Sequence, residues 1–196
     1  MAHIQPLEND QVDDELRQMF EHYERTRGFC PNSVKTMARR PNISKAFGRL
    51  NQAILYEGTV AEELKMLVAL ATSVASGCEY CQSHMANLSS IYKAPDEKIS
   101  ALWEFESSDL FNDGERAAIR LALKAGMLPN DASDEDFTDL KRYFDEAEIV
   151  EIVATIALFG YLNRWNDTMA TQLEEYPTQV AERAIGEQGW SAGKHK

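Results

Sequence analysis

The stretch Glu63 to Leu88, "ELKMLVALATSVASGCEYCQSHMANL", decides how the rest of the chain is read. Its first half is a strongly apolar helix that runs to about Ser76. Gly77 follows, where a helix C-terminal cap is expected. Cys78 and Cys81 then fall in the first turn of a second helix. At that place unpaired N–H groups and the positive end of the macrodipole stabilise a thiolate, drawing a cysteine from about 8.5 towards neutrality or below. The spacing of three also lets the two sulfurs meet across one turn. His84 lies one turn beyond Cys81 on a neighbouring face, placed to pair with its thiolate or to carry its proton. Tyr80 brings a hydroxyl nearby.

On the residues alone, two readings of the pair stay open. One is a redox-active dithiol, peroxidatic or disulfide-exchanging; the other is two small buried residues beside a core histidine. A reducing compartment favours the first. A structural zinc site would need four ligands, and beyond Cys78, Cys81 and His84 the only further thiol is the distant Cys30, so no metal is expected. Cys30 itself reads as a small buried residue rather than a third redox thiol.

Working outward, Thr59 and Glu62 form a T-x-x-E capping box ahead of the apolar helix. Pro41 to Tyr56 is helical and ended by Gly58. "FCPNS" is a loop whose Pro31 stops a helix from running through. Asp10 to Arg27 carries a helical stripe of Val12, Leu16, Met19, Phe20 and Tyr23. Downstream, Pro95 opens a short helix through Trp103, Gly114 to Ala125 is helical, and Ser133 with Asp136 marks another start. Glu146 to about Gly160 is an apolar helix, and Asn163 to Leu173 one more. After Pro177 the chain turns polar, and a tail from 186 to 196 is expected to be loosely held. No alternating strand pattern appears. The expectation is one all-α domain over 1–196.

Glu63 to Leu88 also lies, without a gap, on Glu148 to Leu173, and apolar positions agree through most of the first half. Asn163, a good N-cap residue, then stands opposite Cys78. This reads as a duplicated helical unit, roughly 28–92 with the cysteine pair and 95–176 without it. Asn163, Arg164, Trp165 and Asn166 face the CEYC element in this register; cavity lining and plain packing explain them equally well.

Composition narrows the partners. The chain has 196 residues and a net charge of −12, with pI near 4.8. It has no excess of Lys and Arg with which to displace counterions, so no nucleic-acid partner is expected. No apolar run approaches the roughly 18–20 residues of a membrane span. The start "MAHIQPLEND" lacks the pattern of a secretory signal. Three cysteines make no disulfide framework, which points to a reducing, cytoplasmic setting.

With these residues in view, the chain resembles the carboxymuconolactone decarboxylase-like superfamily, in its AhpD-like alkylhydroperoxidase branch. "GFCPNSVKTMARRPN" and "IVEIVATIALFGYLNRWNDTMA" are similar to flanking segments of its peroxidase-related members. The resemblance implies an AhpD-like helical fold of two duplicated units and a homo-oligomer (dimer, trimer or hexamer). It implies a hydroperoxide substrate attacked by Cys81, a disulfide completed by Cys78, an external dithiol reductant and no bound cofactor. In the family's proton relay a glutamate stands twelve residues before the first cysteine, and that position is Met66 here. The family's histidine falls four residues after the second cysteine, where this chain has Met85, with His84 one place earlier. Glu151 matches Met66 in the second unit, so it is a candidate replacement if the units pack about a pseudo-twofold axis; a solvated helix residue outside the chemistry is the equal alternative. Two further readings stand beside the thiol peroxidase or disulfide reductase: a non-catalytic oligomeric small-ligand binder or redox sensor, and decarboxylase- or isomerase-type chemistry on a small acid.

Overall fold

A computed structural model describes residues 2–196. The helices are α1 (Asp14–Arg27), α2 (Asn32–Met37), α3 (Pro41–Leu55), α4 (Glu62–Ser76), α5 (Glu79–Ile91), α6 (Asp96–Ser100), α7 (Asp113–Gly126), α8 (Asp134–Leu140), α9 (Glu146–Met169) and α10 (Glu175–Ile185). The described residues contain no strand, and the chain is all-α as its periodicity predicts. None of these helices is long and apolar enough to cross a membrane.

α4 is the axis of the core. It packs against α5, α7 and α9, and every residue from Leu64 to Ser73 is buried. A helix apolar all round can only be accommodated in this way, enclosed by other helices. Gly77 ends it in the left-handed conformation, φ 69°, which a residue with a Cβ adopts only with strain. The amide of Cys78 reaches back to the carbonyl of Ser73 at 3.2 Å, and the chain reverses directly into α5.

Three local expectations are corrected. The Thr59–Glu62 capping box does not form: the N-cap of α4 is Ala61, which offers no side-chain acceptor. The Glu151 carboxylate instead accepts from the amides of Thr59 (2.9 Å) and Val60 (3.1 Å). Second, α9 runs unbroken through Gly160 and Asn163. One glycine weakens a helix by only about 1 kcal/mol, which packing offsets. The helix–break–helix pattern of α4 and α5 thus has no counterpart in α9.

Third, the C-terminal segment is docked rather than loose. Pro177 sits in the first turn of α10, where its missing N–H leaves no bond unmade. α10 lies on α5 and buries Val180, Ala181, Ala184 and Ile185. Beyond it, Trp190 donates its indole N–H to the carbonyl of Glu79 at 3.0 Å. His195 is buried, its Nδ1 2.8 Å from the carbonyl of Thr171. Polar sequence hid this because only one face of α10 is apolar.

Candidate active site

The break between α4 and α5 holds the two cysteines. Cys78 is the N-cap of α5 and Cys81 its third residue. All three cysteines of the chain are free and buried. Cys78 and Cys81 stand three residues apart across one helical turn, near enough for Cys78 to perturb the Cys81 thiol, so a disulfide between them needs little movement. The amide Nδ2 of Asn166, from α9, donates to Cys81 Sγ at 3.3 Å.

The resting thiol differs from the sequence-based expectation of a lowered pKa. Burial pushes Cys81 well above the ordinary thiol range, the neighbouring Cys78 adds to this, and the Asn166 amide only partly opposes it. Desolvation of the charged form outweighs the position at a helix N-terminus. Cys81 therefore rests as a thiol and needs a base to become a nucleophile. Cys30 is raised likewise by burial and stands apart from the pair, its Sγ 4.0 Å from the carbonyl of Pro31.

A base is next to it. His84 and Cys81 line the same small cavity. The His84 ring stacks on Tyr80 at 4.3 Å between centroids and takes the edge of Phe29 at 5.6 Å, which fixes its plane. Nε2 lies 2.7 Å from Oε2 of Glu174. A carboxylate only accepts, so Nε2 carries a proton; in the neutral ring Nδ1 is then the acceptor. Glu174 is the N-cap of α10. It also accepts from the amide of Asn32 and from the Tyr80 hydroxyl at 3.1 Å. Burial alone would push this carboxyl up, but the His84 imidazole and these hydrogen bonds outweigh it and hold Glu174 below the usual range. Burial, with Glu174 nearby, pushes the Tyr80 hydroxyl up, so Tyr80 stays a donor.

Of the five candidate residues, the structure brings Cys78, Cys81, His84 and Tyr80 together. It does not bring Glu151. That carboxylate pairs with the buried Lys65 at 2.8 Å and caps the start of α4. From Lys65 to Cys78 the chain climbs almost the whole of α4, about 20 Å at 1.5 Å per residue. The position expected for the relay glutamate, Met66, is fully buried core, and Met85 lines the cavity. Glu174 fills the carboxylate's place beside the histidine, and sequence reasoning missed it. The acidic pair before Pro177 does mark a helix start, but only tertiary packing turns Glu174 inward.

The cavity on Cys81 has a volume of about 40 Å³ and is lined by Tyr80, Met85, Phe159, Leu162 and Asn166 among others. A water needs roughly 10–15 Å³ by this measure, so the space admits a small reacting group. Elsewhere, Glu79, Asp167 and His195 bring three donor atoms within 4.8 Å of one another; Asp167 is held by Lys194 at 2.7 Å.

Comparison with known proteins matches this architecture. A model of the carboxymuconolactone decarboxylase family matches residues 41–124. The debrominase Bmp8 is 35% identical, with a TM-score of 0.86, over 92% of this chain and 97% of that one. A Cys-to-Ala variant of Bmp8 in complex with 2,3,4-tribromopyrrole gives 34% identity and a TM-score of 0.87 over 94% and 98%. An AhpD-core, peroxidase-related protein from Ralstonia eutropha JMP134 shares the fold at 24% identity, TM-score 0.77, over 90% and 94%. The uncharacterized protein YnjA of Escherichia coli K12 is 27% identical over 106 residues, which is 54% of this chain and 58% of that protein.

Proposed function

The chain belongs to the carboxymuconolactone decarboxylase family and has the helical fold of AhpD-like proteins, and from that premise we propose that it is a dithiol-dependent reductase of organic hydroperoxides. The observation that carries this reading is a pair of free, buried, neighbouring thiols of which one, Cys81, lines the cavity that also holds His84 backed by Glu174. His84 Nδ1 takes the proton of Cys81, and Glu174 stabilises the imidazolium that forms. The Cys81 thiolate attacks the terminal oxygen of the hydroperoxide. The O–O bond breaks, the alcohol leaves with the proton from His84, and Cys81 becomes a sulfenic acid. Cys78 attacks that sulfur, a disulfide forms and water leaves. An external dithiol then reduces the disulfide by exchange, which resets both thiols. The resting thiol is protonated, which protects it from adventitious oxidation until a substrate fills the cavity.

A second reading has its own support in the 35% identity to a debrominase over nearly the whole chain. The same two electrons can replace a ring bromine by hydrogen, with loss of bromide and formation of the same disulfide. The volume of about 40 Å³ at Cys81 fits an –OOH head better than a brominated ring, so the hydroperoxide is placed first. The test is turnover with dithiothreitol of hydrogen peroxide, cumene hydroperoxide and a bromopyrrole by wild type, Cys78→Ser and Cys81→Ser. The expected outcome is hydroperoxide turnover lost in both variants, with a trappable sulfenic acid only where Cys81 remains. Turnover of the bromopyrrole alone would replace the first reading by the second. A single, non-repeating oxidation would leave a redox sensor.

A further inference from the structure

A second, larger hollow adjoins the cavity at Cys81. It is an open cleft of about 670 Å³ between α1, α3 and the end of α5. Tyr23, Arg27, Asn51 and Leu88 line both spaces, so these four side chains are the wall between them. Arg27 is the charged member of that wall. Its guanidinium lies over the Tyr23 ring at 4.7 Å and near that of Tyr56 at 5.9 Å, and Nη2 donates to the Tyr56 hydroxyl at 2.5 Å. It is thus held by aromatic faces and a phenol rather than by a carboxylate. A guanidinium has five N–H donors in a planar fork, so most remain to be offered at the wall. The other lining cations are differently placed: Lys45 is taken up by Asp13 and Glu15 at 2.9 and 2.7 Å, and Arg49 stands on the exposed face. Inside, the buried Oδ1 of Asn166 has no partner, while its amide nitrogen holds Cys81. An unpaired buried acceptor beside the nucleophile points to a ligand that brings a hydrogen-bond donor.

We infer that cleft and cavity are two compartments of one substrate site, entered past Arg27, and that its substrate is an organic hydroperoxide bearing a carboxylate. This rests on the reductase reading. The –OOH head enters the inner cavity, where its O–H donates to Asn166 Oδ1 and its terminal oxygen faces Cys81. The apolar body lies between Leu88 and the tyrosines. The carboxylate pairs with the Arg27 fork, whose bidentate geometry matches it.

The experiment uses two alkylating agents of nearly the same size that differ in charge, iodoacetate and iodoacetamide. Labelling rates at Cys81 are read residue by residue by mass spectrometry in wild type, Arg27→Gln, Arg27→Lys and Leu88→Trp, with thermal melts to confirm folding. The expected result is that Arg27→Gln lowers the iodoacetate-to-iodoacetamide ratio about tenfold, as loss of a charge-assisted hydrogen bond implies. Arg27→Lys keeps most of that ratio, and Leu88→Trp slows both reagents together by narrowing the wall. An unchanged ratio in Arg27→Gln overturns the assignment of Arg27. Unslowed labelling in Leu88→Trp, or no labelling of Cys81 by either reagent in the folded protein, overturns the route. Alkylation requires no turnover, so charge-selective labelling together with a null hydroperoxide assay would remove the reaction and keep the site.

Discussion

Carboxylates from the second half of the chain reach both ends of the α4–α5 hairpin. At the start of α4, Glu151 meets the ammonium of Lys65; beyond the break at its other end, Glu174 meets the imidazole of His84. Both pairs are largely buried, and both carboxyls are held below the usual range against the effect of burial. They differ in what is left over. Glu151 is saturated by Lys65 and two amides, and Lys65 also donates to the carbonyl of Glu57. Its partner is an ammonium, which offers donors and no acceptor for a proton. Glu174 is paired with a ring that keeps one nitrogen as acceptor, beside a thiol and a cavity. The same pairing serves as a structural clasp at one end and, in the proposed reaction, as a proton relay at the other.

That contrast breaks most visibly at the clasp. Glu151→Gln leaves the buried Lys65 without its carboxylate, and removing one partner of a buried ion pair costs about 3–5 kcal/mol. Chemical denaturation is expected to show that loss, while the rate of single-turnover Cys81 oxidation in the folded fraction stays at the wild-type value. A slowed thiol reaction without loss of stability would return Glu151 to the chemistry.

Glu174→Gln is the matching change at the other end. The amide can still contact Nε2, but it neither stabilises an imidazolium nor fixes the tautomer. The oxidation rate is expected to fall roughly tenfold to a hundredfold, the lower part of the range for proton-transfer catalysis. The rate of His84→Asn should be no further reduced by adding Glu174→Gln, because the two act as one unit. Additive losses in the double variant would show that Glu174 acts separately from His84.

Acid separates the two ends less sharply. Glu174 has a lowered folded pKa, so the unfolded chain binds its proton first as pH falls. Its contribution to stability is complete above the ordinary carboxyl value of 4.5 and is lost as pH drops through the folded value. The melting temperature of wild type should therefore decline below pH 4.5 more steeply than that of Glu174→Gln. Parallel curves for the two proteins would mean that the carboxylate is not ionised against His84 in the native state.

How far the sequence carried these conclusions differs between the two ends. α4, the Gly77 break and the start of α5 were all legible, since periodicity and a left-handed glycine are local properties. So were Cys78, Cys81 and the neighbouring His84, each about one helix turn from the next. The pKa of Cys81 was not legible, because a helix start can be read from spacing whereas desolvation depends on the helices that cover it. Glu151 was misplaced for a related reason. Its candidacy assumed that the two units pack so as to carry it to the cysteine pair, and it closes on Lys65 near the far end of α4 instead. Glu174 and α10 lay in a stretch whose polarity concealed a buried face, and no local signal reports which side chain of "LEEYP" turns inward.

The smallest effect concerns the C-terminal segment that closes over this site. His195 is buried with Nδ1 on the carbonyl of Thr171, and its own carbonyl accepts from the amide of Leu173 at 2.8 Å. Burial lowers its pKa; the Thr171 carbonyl and the charges of Glu79 and Asp167 oppose this, Lys194 reinforces it, and burial wins. The undocked segment therefore takes up a proton before the docked one does, so docking weakens as pH falls from about 6.5 towards the folded value. Hydrogen exchange at the Leu173 amide, corrected for the intrinsic pH dependence, should lose protection between pH 7 and pH 5 in wild type and hold a flat profile in His195→Gln. Protection that rises on acidification would mean that His195 is docked as the imidazolium, paired with Glu79 across 3.7 Å. The segment would then be held by charge rather than by exclusion of water, and Leu173, next to Glu174, would couple that charge to the relay.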